Sequence, residues 1–111
     1  MFEGEAFYVL GMIDPRRKAA VMVVPYDHVE TPFDIAPEAW GHLKEALDFA
    51  KEYLQRFEPA GFTMGWNVGE VAGQTVPHVH LHVVCRFEGE KASGYGLNAM
   101  LKNLNGEPYG R

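Results

Sequence analysis

From Gly73 to Val84 the chain reads Gly-Gln-Thr-Val-Pro-His-Val-His-Leu-His-Val-Val, and no other stretch constrains the fold as strongly. On a β-strand, side chains at i, i+2 and i+4 point to one face. The alternation therefore predicts a strand over about residues 78–87. His78, His80 and His82 should line one face of it, and Val79, Leu81 and Val83 should bury the other. Three imidazoles in a row on a rigid element form a chemical device, because imidazole changes charge near neutral pH.

The elements before this strand supply its neighbours. Residues 6–13, AFYVLGMI, are apolar and β-prone and predict a first strand. Asp14-Pro15-Arg16-Arg17-Lys18 breaks the run as a turn. Val21-Met22-Val23-Val24, ending at Pro25, predicts a second strand and thus a hairpin. Residues 26–36 read as a loop. Pro37 suits a first helical turn, with Glu38 beside the positive end of the macrodipole. Trp40, Leu43, Leu47, Ala50, Leu54 and Phe57 recur at spacings of three and four, one apolar stripe. One helix is expected over 37–57, stopped by Glu58-Pro59-Ala60-Gly61. His42 sits beside that stripe as a boundary residue.

A third strand is expected over 62–68, followed by a turn at 69–73 into the histidine strand. Residues 88–96 read as a loop, 97–104 as a short helix and 105–111 as a loose tail. Hairpins rather than crossovers imply an antiparallel sheet of about four to five strands. The long helix covers one face, an α+β domain spanning residues 1–111 with its core at about 6–90.

Charge and length limit the function. The 111 residues suit one domain. Ten Lys and Arg against fifteen Asp and Glu give a net charge of −5, the wrong sign for a nucleic-acid-binding face. No apolar run is long enough for a membrane span. The start, Met-Phe-Glu-Gly-Glu, lacks the basic and apolar regions of a signal peptide. A single cysteine, Cys85, fits a reducing cytoplasm. Tyr8, Met12, Phe33 and Met64 are conceivable pocket liners that read first as core.

The histidine row admits two chemistries. Neighbouring imidazoles can share a metal ion, with His28 or a distant carboxylate completing a His-x-His module. Three in a straight row cannot easily do so, since His78 and His82 lie about 13 Å apart along a strand. Alternatively, His80 acts as a nucleophile. The histidines on either side then donate hydrogen bonds to phosphate oxygens, and Gln74 and Thr75 add neutral donors. Attack on phosphorus suits that layout.

His78-Val79-His80-Leu81-His82-Val83-Val84 resembles the His-φ-His-φ-His-φ-φ signature of the histidine-triad family of nucleotide hydrolases and transferases. Gly73-Gln74-Thr75-Val76 and Val23-Val24-Pro25-Tyr26-Asp27-His28-Val29 are similar to that family too, so the resemblance covers about residues 6–90. It implies that His80 attacks the α-phosphate of a nucleotide, a phosphoramidate or a dinucleoside polyphosphate such as a diadenosine polyphosphate. A nucleotidyl-histidine forms, and a nucleoside monophosphate is released. His82 and Thr75 would contact phosphate. His78 would position the site, its carbonyl holding the proton on the other nitrogen of His80. Gln74 and Asn67, the latter in the upstream strand, would line the phosphate or ribose. No metal is expected to be required, and a homodimer is expected.

Two positions depart from the family pattern. Lys18-Ala19-Ala20 replaces a common Pro-Gly-His, so Ala20 offers no side-chain partner to the first triad histidine. Met12 stands where an acidic or amide ribose ligand is usual, with Asp14 two residues on. The family's usual N-terminal extension, with its extra strand or helix, is not expected here. A catalytically weak nucleotide-binding protein of the same fold is the alternative these departures suggest.

Overall fold

The structure, a computed structural model, describes residues 1–12, 19–91, 94, 96, 97 and 101. Five strands form one antiparallel sheet: β1 (Phe2–Glu3), β2 (Phe7–Gly11), β3 (Ala20–Pro25), β4 (Gly61–Gly65) and β5 (Leu81–Arg86). Their spatial order is β1-β2-β3-β5-β4. The fold is α+β, as the hairpin pattern predicts. Strand β3 lies between β2 and β5, and five of its six residues are buried. A continuous apolar run without alternation is what a strand covered on both faces requires.

Register assigns the faces. Val21 pairs with Val83 and Val23 with Leu81, while Met22 pairs with His82. Residues directly opposite share a face. The valines and Leu81 therefore point to the helix side, and Met22 and His82 to the other. The helical layer is α1 (Pro37–Trp40), then α2 (Leu43–Leu54) and a 3₁₀ turn at Gln55–Phe57. The single helix expected over 37–57 is thus interrupted at Gly41 and His42. His42 N–H bonds to Ala39 C=O, an i→i+3 bond that tightens the chain where glycine weakens the helix. His42 is exposed, as its place beside the stripe suggests.

The stripe itself is broader than predicted. Ala46, Ala50 and Leu54 are fully buried. Leu43, Leu47, Phe49, Tyr53 and Phe57 pack around them against Phe7, Val9, Val21, Val23, Ile35, Val79, Leu81, Val83 and Cys85. Alanines at 46 and 50 let the helix backbone approach the sheet closely. Trp40, by contrast, is 40 % exposed and rests edge-on against Trp66. The helix stops where Glu58 takes φ 53°, a left-handed cap on a non-glycine residue.

The N-terminus adds a strand that the sequence pattern does not show. Phe2 and Glu3 pair with Val9 and Tyr8, and the Phe2 ring stacks on Phe49 at 5.0 Å. Two-residue strands carry no readable alternation, which is why the sequence pattern passes over this one. The turn at 14–18, most of the helix expected at 97–104 and the tail at 105–111 lie outside the described residues.

Two local groups yield tests of the fold. Cys85 is 4 % exposed on the helix side of β5, and burial raises its thiol pKa. A neutral buried thiol is unreactive. A thiol reagent at pH 8 is therefore expected to label Cys85 only after denaturant is added. Burst labelling of the native protein would show that this layer opens.

Glu90 accepts hydrogen bonds from Phe87 N–H and Arg86 Nε, each at 2.8 Å. The Phe87 amide, with Arg86 assisting, holds its carboxyl below the usual carboxylate range. A depressed folded-state pKa stabilises above the unfolded value and ceases to do so as pH falls through the folded one. Glu90→Gln should therefore lower the melting temperature at pH 7, and the difference should shrink as pH falls below the ordinary carboxylate range.

Candidate active site

Strand β5 begins at Leu81, so only His82 of the three histidines lies within the sheet. His78 and His80 occupy the extended approach to it, correcting the single strand predicted from residue 78. The reason lies in the partner strands. Strand β4 ends at Gly65, opposite His82, and β3 pairs with β5 only as far as Val23 opposite Leu81. Earlier residues have no ladder to join. The in–out alternation nonetheless persists: Val79, Leu81, Val83 and Cys85 are buried, and His78, His80 and His82 are half-exposed.

Side-chain and main-chain hydrogen bonds replace the ladder. A ring nitrogen of His80, Nδ1, lies 2.9 Å from the His78 carbonyl oxygen. A carbonyl only accepts, so Nδ1 carries the proton. In neutral His80 the lone pair is then on Nε2. The Nε2–H of His78 donates to the Pro25 carbonyl at 2.9 Å by the same reasoning. The His80 and His82 rings meet edge to face at 4.8 Å, as do those of His28 and His78 at 5.0 Å.

The register also locates the consequence of Ala20. It pairs with Val84, one same-face position beyond His82 and away from His78. A larger side chain there would lie diagonal to His82. Ala20 gives His78 no side-chain partner, and the Pro25 carbonyl serves His78 instead.

The loop before the histidines is shaped by two glycines. Gly69 and Gly73 have φ of 87° and 101° and flank a 3₁₀ turn at Glu70–Ala72. L-residues rarely adopt that region. Within this loop the Gln74 carboxamide is fully engaged. Its oxygen accepts from Gly69 N–H at 2.8 Å, and its nitrogen donates to the carbonyls of Glu30 at 2.7 Å and Val76 at 3.2 Å. Thr75 is exposed beside it. Asn67 falls in the loop after β4 rather than in the strand expected over 62–68, and its side-chain amide packs beside Gly73.

A cavity of about 210 Å³ opens beside the histidines, lined by Tyr8, Met22, Val24, Val76, His78 and His80. Its walls are apolar apart from the two imidazoles and the phenol. Of the four conceivable liners, Tyr8 is the one found here. Phe33 and Met64, read as core, are 86 % and 51 % exposed. Met22, Val24 and Val76 have no sequence signal beyond their place opposite or before the histidines. Asp14 lies outside the described residues. Among the described residues, no three histidine, cysteine or acidic side chains converge as a metal site.

The HIT domain model matches residues 1–89. The chain belongs to the HIT family. It is 32 % identical to an uncharacterised HIT-like protein of Methanocaldococcus jannaschii, over 96 % of this chain and 88 % of that one. It is 26 % identical to adenosine 5′-monophosphoramidase hnt1 of Schizosaccharomyces pombe, over 76 % of this chain and 61 % of that protein. It is 30 % identical to an AP-4-A phosphorylase of Mycobacterium tuberculosis, over 78 % of this chain and 46 % of that enzyme. A crystal structure of a HIT family protein from Bacillus subtilis superposes with a TM-score of 0.72 at 28 % identity, covering 85 % of this chain and 67 % of that one.

Proposed function

We propose that this HIT protein is a hydrolase or transferase acting on the α-phosphate of a nucleotide, with His80 as nucleophile. The observation that carries this reading is the 2.9 Å bond from His80 Nδ1–H to the His78 carbonyl. It fixes the tautomer and leaves Nε2 as the basic nitrogen. His80 Nε2 attacks phosphorus, and the bond to the leaving oxygen or nitrogen breaks. The leaving group departs with that electron pair and takes a proton. The His80 ring, now bonded at both nitrogens, carries positive charge, which the carbonyl at Nδ1 stabilises. Water then attacks phosphorus, the N–P bond breaks, its pair returns to Nε2, and a nucleoside monophosphate leaves with one proton released.

His82 supplies a donor to the phosphate oxygens as charge develops, Thr75 adds a neutral one, and His78, its Nε2–H given to Pro25, positions the site through its carbonyl. The apolar cavity against Tyr8, Met22 and Val24 takes the nucleoside. Two relatives bear the names of such reactions, a monophosphoramidase and an AP-4-A phosphorylase, so phosphoramidates and dinucleoside polyphosphates are the substrates to test. The chemistry needs no metal in this scheme. The test is acid quench of the protein with each substrate in the presence of chelator, followed by mass spectrometry of the intact chain. A nucleotidyl adduct mapping to His80 supports the proposal. Turnover without an adduct, or abolished by chelator, sinks it.

The site is proposed to work in a homodimer in the cytoplasm. Strand β4 is a sheet edge five residues long with half-exposed Met64 and a groove of about 550 Å³ between it and α2. An open edge beside apolar surface favours a second copy. Gel filtration at micromolar concentration is expected to give twice the 12.5 kDa monomer mass. Met64→Glu is expected to return it to the monomer position.

A further inference from the structure

The approach to β5 lacks a ladder, yet it must hold His80 in register. Its anchors share one feature. Pro25, Val29 and Glu30 present carbonyls that accept from His78 Nε2–H, Val79 N–H and Gln74 Nε2–H at 2.9, 2.8 and 2.7 Å. These three carbonyls form a rail that runs from the last residue of β3 along the segment after it, and the Gln74–His80 stretch hangs from it. Two of the donors, at residues 74 and 79, bracket Thr75, Val76, Pro77 and His78. The third is the ring of His78, whose own carbonyl sets the His80 tautomer.

Gln74 is the outermost anchor and the most heavily used. Besides Glu30 it grips Val76 within the loop, and its oxygen holds Gly69 N–H at the loop's start. Gln74 N–H returns to Gly69 C=O at 3.1 Å. One carboxamide thus joins three main-chain segments. A side chain with its donors and its acceptor so committed is poorly placed to bind a phosphate as well.

We infer that Gln74 is a positioning residue that clamps the triad's approach segment to the Pro25–Glu30 carbonyls, and thereby aims His80, rather than a phosphate ligand. This rests on the nucleotidyl-transfer reading for its effect on rate, but not for its effect on the histidines. Only a carboxamide of this length carries both an acceptor for Gly69 and donors for Glu30 and Val76. Glutamate at 74 keeps the acceptor, loses both donors and faces two carbonyls with negative charge. Alanine removes everything.

The test compares wild type, Gln74→Ala and Gln74→Glu. The first readout is the ¹⁵N spectrum of the imidazoles in ligand-free protein. Wild type should show His80 as a single Nδ1–H tautomer, and both variants should show His80 shifted toward a tautomer mixture, with thermal melts confirming that they fold. The second is steady-state turnover of an adenosine phosphoramidate. A misaimed nucleophile should lower kcat on the order of 10- to 100-fold, with KM within about threefold. The third is binding of AMP and of adenosine, whose ratio of affinities should stay near the wild-type value in both variants. A wild-type His80 spectrum in the variants, with AMP affinity falling tenfold and adenosine affinity kept, would make Gln74 a phosphate contact and overturn the inference. If wild type itself turns nothing over, the transfer reading fails, and the imidazole spectra alone still decide the positioning role.

Discussion

His80→Ala is expected to abolish turnover of both a phosphoramidate and a dinucleoside polyphosphate, a fall of about 10⁴-fold or more. The size follows from the role. A covalent nucleophile splits one hard displacement into two easier ones, and removing a group of this kind has cost about 10⁶-fold in a well-studied protease. His82 stabilises charge beside the nucleophile without forming the covalent bond, so His82→Ala should lose less, on the order of 10²–10³-fold, as for one lost donor at a developing negative charge. Affinity for AMP should survive in His80→Ala, because the apolar cavity walls are untouched. Stability should move by less than about 1 kcal/mol, since His80 is half-exposed and its ring adds little to the core. Residual turnover within tenfold of wild type would reassign the nucleophile.

Leu54→Ala should give the largest loss of stability, about 3 kcal/mol. Leu54 is fully buried at the C-terminal end of α2 and, among the described residues, is the largest of the side chains wholly removed from solvent. Truncation loses the transfer free energy of three carbons and leaves a void that the sheet cannot collapse to fill, a combination measured at 2–5 kcal/mol for buried leucines. Against the roughly 5–15 kcal/mol that holds a domain together, that is a large fraction. The melting temperature should drop by about 10–20 °C, at the roughly 4–8 °C per kcal/mol usual for domains near this size. Lys44→Ala on the same helix is the contrast. Lys44 bonds to Asp48 at 2.5 and 2.7 Å, but the two side chains are 77 % and 62 % exposed. An exposed pair of this kind stabilises by well under 1 kcal/mol. Denaturant melts of the two variants side by side check both values. Equal midpoints would mean that α2 is not held by its buried face.

The parts of the molecule that repeat were legible in the sequence. Alternation at 78–84 and the helical spacing at 43–54 each say which side is buried, and burial is what the fold obeys. Strand order follows less directly. That β3 pairs with β5 is a contact between residues about sixty apart in the chain, and only the unbroken apolar run of β3 hints that it is central. The helix break at Gly41 and the strand Phe2–Glu3 escape because both are shorter than any period. Within the site, residue types signalled the histidines. Their partners could not be signalled that way, because the carbonyls of Pro25, Val29, Glu30 and His78 are present whatever the side chain. The cavity wall was illegible for a related reason: Met22, Val24 and Val76 look like any core residue until the register sets them beside His80.

Main-chain acceptors shape how such a site tolerates change. The groups that orient His78, Val79 and His80 are main-chain oxygens, and no codon substitution deletes a peptide carbonyl. A lineage can therefore replace the side chains at 29 or 30 and leave the acceptors standing. What it cannot replace freely is whatever fixes the path of the chain. Gly69 and Gly73, with their positive φ angles, cannot be swapped for ordinary residues without strain, and a one-residue insertion just after Pro25 would shift the Val29 and Glu30 acceptors relative to that of Pro25. Drift in this protein should thus be generous in side-chain chemistry along the rail and severe in its length.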